Sequence, residues 1–186
     1  RGVSMGTHST PLLSQSSLIV WSQRAGIVEF RALRTEDVPS LWRINEEGLP
    51  GTGQVSQDAI ADLLGLAELS LGAFEGSELV GFVICLPPRT RYGSLNYAWF
   101  NQHYEAFLYV DRIAVSENHR NRTIGSRLYH MVIARAQEHS IPVAAEVSLD
   151  PPNPDSMRFH DRHGFIEVGV LHHADYSVTM LLRDSL

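Results

Sequence analysis

Two adjoining runs constrain this chain most: Phe107-Leu-Tyr-Val-Asp-Arg-Ile-Ala-Val115, and shortly after it His119-Arg-Asn-Arg-Thr-Ile-Gly-Ser-Arg-Leu128. The first reads as an apolar, β-branched strand. The second is a basic turn that opens an amphipathic helix with apolar positions at 124, 128, 131, 132 and 136. A strand passing through a basic turn into a helix converges backbone N–H groups, a helix N-terminus and two or three arginines on one point. Such a point suits a phosphate.

The rest of the chain alternates strands with helices. Ile27-Val-Glu-Phe-Arg-Ala-Leu33 predicts a first strand, and Thr35, Asp37 and Pro39 open a helix through Leu41, Trp42 and Ile44. Asn45 to Gly53 is dense in turn formers and predicts a loop. Ile60, Leu63, Leu64 and Leu66 give residues 57–69 helical spacing, and Ser70–Phe74 with Leu79–Cys85 flank Glu-Gly-Ser-Glu as a β-hairpin. Pro87 to His103, with Tyr92, Tyr97, Trp99 and Phe100 among polar residues, breaks the pattern and predicts an insertion or long loop. Strand 106–115, helix 124–139 and strand 143–149 follow. Asn153 caps a short helix that Gly164 closes, and Phe165–Val170 and Tyr176–Leu182 complete the sheet. Strands bracket helices without repeats, which predicts a mixed α/β domain over residues 25–186. Residues 1–24, rich in Ser, Thr and Gly, read as an N-terminal extension or a cloning remnant, with Met5 expected as the natural start.

Composition narrows the function. Fifteen Lys and Arg against 21 Asp and Glu give a net charge of −6, which argues against a non-specific nucleic-acid partner and weakly favours amines. The single cysteine, Cys85, excludes an internal disulfide and fits a reducing compartment. It sits in an apolar strand and reads as a packed thiol, not a nucleophile. No apolar run has the length of a membrane span, so no membrane partner and a cytoplasmic location are expected. Nine histidines invite a metal, but His160, Asp161, His163, His172 and His173 follow no recognised ligand spacing, and none is expected.

The order strand, basic turn, helix, strand, Asn-capped helix and Gly-Phe strand resembles the GNAT superfamily of N-acetyltransferases over roughly residues 27–182. The family signature Arg/Gln-x-x-Gly-x-Gly/Ala falls on Arg120-Asn-Arg-Thr-Ile-Gly125. Thr123 replaces a glycine, and Asn121 stands where a second glycine is common. Asparagine tolerates the left-handed region, whereas a β-branched threonine resists it. The turn is therefore expected to keep Thr123 at negative φ, its hydroxyl capping the helix or reaching a phosphate.

The resemblance implies a GNAT-type fold, a mostly antiparallel sheet of six or seven strands splayed centrally with helices on both faces. It implies acetyl-CoA as co-substrate and direct attack by a primary amine, in a ternary complex, on the thioester. Backbone groups of Ile113, Ala114 and Val115 would pair with pantetheine, and one N–H would polarise the thioester carbonyl. Arg120, Asn121, Arg122, Thr123, Ile124, Gly125 and Ser126 would hold the diphosphate. Asn153 matches the asparagine that contacts the coenzyme arm, and is equally a plain helix cap. His160 stands where the family has the tyrosine that protonates the departing thiolate; its bland role is packing beside Phe159. Asp111 interrupts an apolar strand in line with Phe107, Tyr109, Ile113 and Val115. It is either the general base or a structural partner of Arg112 or Arg158, with Glu146 in reserve. Asn45, Glu46 and Glu47 match the acceptor pocket or form a solvated loop, and segment 92–104 is a lid or a subunit contact. The acceptor would be a small amine or a peptide, and homodimers are common in the superfamily. Two rivals remain: a catalytically degenerate coenzyme A-binding module, and a dinucleotide enzyme, for which Gly-x-Gly-x-x-Gly is missing.

Overall fold

Seven strands form one sheet in the order β1-β2-β3-β4-β5-β7-β6. They are β1 (Val28–Ala32), β2 (Leu69–Glu75), β3 (Glu78–Leu86), β4 (Leu108–Val115), β5 (Val143–Asp150), β6 (Ile166–His172) and β7 (Ser177–Arg183). Every neighbouring pair is antiparallel except β4 with β5. The computed structural model describes residues 26–185, so the expectations for residues 1–24 lie outside the described residues.

Helices α1 (Val38–Glu47), α2 (Gln57–Leu66) and α3 (Leu95–His103) cover one face, burying Leu41, Ile44, Ile60, Leu63 and Phe100 with Phe82, Ile84 and Tyr109 of the sheet. Helix α4 (Ile124–Glu138) covers the other with Leu128, Tyr129, Val132 and Ala136 against Val83, Val110 and Val147. Helix α5 (Pro154–Arg162) brings Phe159 and His160 against Tyr129 of α4. Cys85 is fully buried, and burial pushes its thiol well above the ordinary range, as expected of an inert packing residue. Among the described residues no helix is long and apolar enough to cross a membrane.

Two expectations need correction. The segment 87–103, expected as an insertion or long loop, holds a helix over Leu95–His103: Ser94 accepts from the Tyr97 N–H (3.3 Å) and caps α3. Tyr97 and Phe100 then join Phe107 and Tyr109 in an aromatic cluster with ring centroids 5.2–6.1 Å apart. The helix escaped notice because its apolar residues are scattered around its axis. Asn45, Glu46 and Glu47 belong to the last turn of α1, not to a loop. The turn formers begin to act at Gly48.

The sheet parts at its centre. Strands β4 and β5 pair only at Leu108↔Val143 and Tyr109↔Ala144. On its other edge β4 carries a bulge, since Ile84 faces Arg112 while Cys85 faces Val110, which leaves Asp111 as the extra residue. One inserted residue flips the side-chain alternation that follows it. Phe107 and Tyr109 consequently lie under α1–α3, whereas Ile113 and Val115 pack on the α4 side. Asp111 is therefore not in line with Ile113 and Val115, contrary to expectation.

The aromatic cluster holds α3 to the strand that opens the gap, and truncating it leaves a cavity. Phe100→Ala is expected to lower the unfolding free energy by about 3–5 kcal/mol, read as a shift of the urea midpoint.

Candidate active site

The basic turn folds into a backbone nest. Asn121 and Thr123 both take left-handed backbone with φ of 61°. For Thr123 this overturns the expected negative φ. The helix that starts at Ile124 and the strand that ends at Val115 fix both ends of the turn, and this constraint outweighs the roughly 1–2 kcal/mol of strain. The Thr123 hydroxyl makes no cap bond; its carbonyl accepts the first bond of α4 from Arg127 N–H (2.9 Å). Among the described residues, the N–H groups of Asn121 to Ser126 have no hydrogen-bond acceptor. All of these residues but Arg122 line a cavity of about 330 Å³, together with His119, Arg120 and Arg162. Arg122 turns away from it: its guanidinium bonds Glu75 (2.8 Å), whose other oxygen lies 3.2 Å from His119 Nε2. Arg120 reaches back to the Glu47 carbonyl (2.9 Å) and the Val115 carbonyl (3.3 Å), tying α1 to the nest.

From the nest a second cavity of about 330 Å³ runs into the parted sheet, lined by Ile113, Ala114, Val115, Asn153, Ser156 and His160 among others. Ser116 N–H bonds the Val80 carbonyl and Ala114 lies opposite Phe82, so Arg112, Ala114 and Ser116 direct their backbone groups at β3. By alternation, Ile113 and Val115 direct theirs into the gap. Asn153 caps α5 by accepting Ser156 N–H (3.1 Å). Its amide nitrogen faces the loop after α1, where a Cβ on Gly51 would lie 3.3 Å from it.

His160 forms the floor of this cleft and is almost wholly buried. Its Nδ1 lies 2.8 Å from the Ser156 carbonyl, which only accepts, so Nδ1 carries the proton. Nε2 then accepts from the Tyr129 hydroxyl (2.7 Å). Burial lowers the His160 pKa and raises that of Tyr129 far above 10. His160, expected as the acid, thus lies in the cleft with both ring nitrogens engaged.

A small cavity lined by Asp111, Arg112, Tyr129, Glu146 and His160 leads through the gap. It opens onto a third large cavity, of about 320 Å³, beneath α3 and the loop after α1. Asp111 is held by Arg112 Nε (2.7 Å), both side chains nearly inaccessible. Arg112 Nη1 also bonds Asn45 Oδ1 (3.0 Å), and Asn45 Nδ2 bonds the Gly53 carbonyl (3.0 Å). Of the two roles left open for Asp111, the structural pair with Arg112 matches the geometry. Glu146 is different. Its Oε1 accepts from Tyr109 O–H (2.8 Å) and Asn96 Nδ2 (3.1 Å), while Oε2 is buried with no partner among the described residues. Burial, reinforced by the Asp111 charge and opposed by those two hydrogen bonds and Arg112, raises its pKa to about 7. No three His, Cys, Asp or Glu side chains gather as a metal site among the described residues.

The profile of the Acetyltransferase (GNAT) family matches residues 31–165. This chain belongs to the GNAT acetyltransferase family. Solved GNAT-fold structures are similar in shape and distant in sequence. Ard1 from Thermoplasma volcanium shares 21% identity at a TM-score of 0.69, over 86% of this chain and 98% of its own. The ribosomal-protein-S18-alanine N-acetyltransferase from Escherichia coli shares 14% at 0.66, over 85% and 94%. Arabidopsis thaliana Naa50, solved with the bisubstrate analogue CoA-Ac-MVNAL, shares 16% at 0.65, over 84% and 98%. No curated protein sequence matches the chain.

Within this GNAT domain the residues expected around the cofactor converge, the Arg122 side chain excepted. The expected acceptor residues do not. Asn45 is spent on Arg112, and Glu47 is pinned by Arg43 (2.6 Å) and the Glu117 N–H (2.8 Å), which outweigh burial and keep its pKa low. The loop Pro50–Gly53 lines the cavity beneath α3 in their place. Tyr129, Tyr109 and Asn96 also line these cavities and were not anticipated: Tyr109 stood among the apolar residues of its strand, Tyr129 lay outside the apolar spacing of its helix, and Asn96 lay in a segment without pattern.

Two stability outcomes follow. Arg112→Ala strands the Asp111 carboxylate and is expected to cost about 3–5 kcal/mol by chemical denaturation, most of it recovered in Asp111→Leu/Arg112→Met. Thr123→Gly relieves the left-handed strain and is expected to raise the unfolding free energy by up to about 1 kcal/mol.

Proposed function

We propose that this GNAT-family protein moves an acetyl group from acetyl-CoA to a primary amine by direct attack, with Glu146 as the general base. One observation carries the reading: the nest, the cleft between β4 and β5, and the cavity beneath α3 share walls in sequence. Val115, Arg120 and Gly125 line the first two, Ile113 and His160 the cleft and the passage, and Asp111, Arg112 and Glu146 the passage and the acceptor cavity. A diphosphate suits the unpaired N–H groups of residues 121–126. A pantetheine arm suits the backbone of Ile113 and Val115, whose N–H groups also suit the developing oxyanion. Acetyl-CoA supplies the thioester. A small amine or a peptide N-terminus enters from the other side, a reading supported by the peptide-bearing analogue on Naa50.

Glu146 takes the proton of the incoming ammonium. A base with a pKa near 7 is half ionised at neutral pH, where acid–base catalysis is most efficient. Asp111 raises the proton affinity of Glu146 by its charge, and does not act as the base itself. The departing thiolate forms beside the Tyr129–His160 pair; we assign the Tyr129 O–H, turning from His160 Nε2, to donate to it, the thiolate then taking its proton from solvent on release. The engaged ring of His160 favours a second reading, a coenzyme A-binding module without turnover.

Thiol release over an amine panel separates the two. The base works as a carboxylate, so turnover should rise with pH through about 7, after correction for the acceptor's own ionisation, and fall away below it. Glu146→Gln should lower kcat by roughly 10²–10⁴-fold while calorimetric coenzyme A binding is kept. Binding without turnover in the wild type supports the module. Full activity in Glu146→Gln removes Glu146 as base.

A further inference from the structure

The Glu146 carboxylate is oriented by a relay that reaches the opposite edge of the acceptor cavity. Asn96, on α3, donates Nδ2 to Glu146 Oε1 (3.1 Å), and its Oδ1 lies 2.8 Å from His173 Nε2. A primary amide has donors at one end and an acceptor at the other. With a carboxylate at one end, Oδ1 must face His173, and His173 must carry its proton on Nε2. The ring of His173 is fixed in turn. It stacks on Tyr176 at 4.1 Å and 16°, and His173 N–H bonds the Tyr176 carbonyl (2.8 Å) at the tip of the β6–β7 hairpin. Tyr176 itself lines the acceptor cavity with Asn96 and Glu146. Three segments far apart in sequence thus meet at one carboxyl group.

We propose that Asn96 and His173 are positioning residues that aim Glu146 at the acceptor amine, so that the β6–β7 hairpin tip builds the base and is not merely a wall. The inference rests on Glu146 acting as the base. Without the His173 donor, the Asn96 amide gains freedom to rotate and present its oxygen to the carboxylate. Tyr109 O–H still donates to Glu146 from β4, and Asp111 and Arg112 act on it from the bulge, so the amide is the partner that His173 controls.

The pH profile of kcat tests this in His173→Phe, His173→Gln, Asn96→Asp and Glu146→Gln, with the KM for acetyl-CoA followed alongside. His173→Phe keeps an aromatic ring on Tyr176 and removes the donor. It should lower kcat by between roughly ten- and a hundred-fold, move the acidic limb to higher pH and leave the acetyl-CoA KM unchanged. His173→Gln, which returns an N–H, should restore most of the rate. Asn96→Asp, nearly isosteric, sets a second carboxylate against Glu146 and should move the limb up by at least about one pH unit. It decides the matter even if His173→Phe folds poorly. Wild-type limbs in both Asn96→Asp and His173→Phe, with Glu146→Gln inactive, overturn the relay and spare the base. An active Glu146→Gln overturns both.

Discussion

A parallel strand pair that keeps only Leu108↔Val143 and Tyr109↔Ala144 forgoes the backbone bonds of the rest of its length, and every other feature of the site depends on that parting. Each such bond is worth about 0.5–1.5 kcal/mol, and a polar group left buried without a partner costs about 1–3 kcal/mol. Two devices hold the gap open against closure. The bulge at Asp111 turns the strand, and the Asn45–Arg112–Asp111 network ties that bulge to the end of α1. The aromatic cluster of Tyr97, Phe100, Phe107 and Tyr109 anchors the last paired rungs from the α3 side. The exposed backbone of Ile113 and Val115 is then available to a ligand that brings its own donors and acceptors.

The same bulge sets the charges. Asp111 is placed close enough to Glu146 to raise its proton affinity, yet its own charge is neutralised by Arg112. Two carboxylates in one passage thereby take different parts, one structural and one titrating near neutrality. Across the gap, burial keeps His160 neutral and Tyr129 protonated, so the floor of the cleft carries no charge of its own. The cavity beneath α3 carries the charged groups and the cleft the neutral hydrogen-bonding ones.

Much of this was legible from sequence. All seven strands were anticipated to within a few residues, because β-branched runs bounded by turn formers leave little choice. The α4 and α5 helices were equally plain from their caps and spacing. What escaped depends on partners distant in the chain. The bulge at Asp111 exists only in relation to β3, so the simple alternation of 107–115 placed it on the wrong face. Thr123 adopts the left-handed region because strand and helix dictate the turn, against its local preference. Asn96 and His173 lie 50 residues before and 27 after Glu146 in the numbering, and no local pattern links an unremarkable amide to a hairpin histidine. The turn and the strand before it, contiguous from 113 to 126, were readable as one cavity wall; the cavity beneath α3, assembled from separate segments, was not.

The central claim is that coenzyme A enters the parted sheet by pairing with β4. Residue-resolved amide hydrogen exchange, with and without coenzyme A, tests it most directly. The account predicts an alternating response, with strong slowing at Ile113 and Val115 and little change at Ala114, which already faces Phe82. Slowing should extend to the first N–H groups of α4. Uniform or absent protection along 113–115 at saturating coenzyme would contradict it.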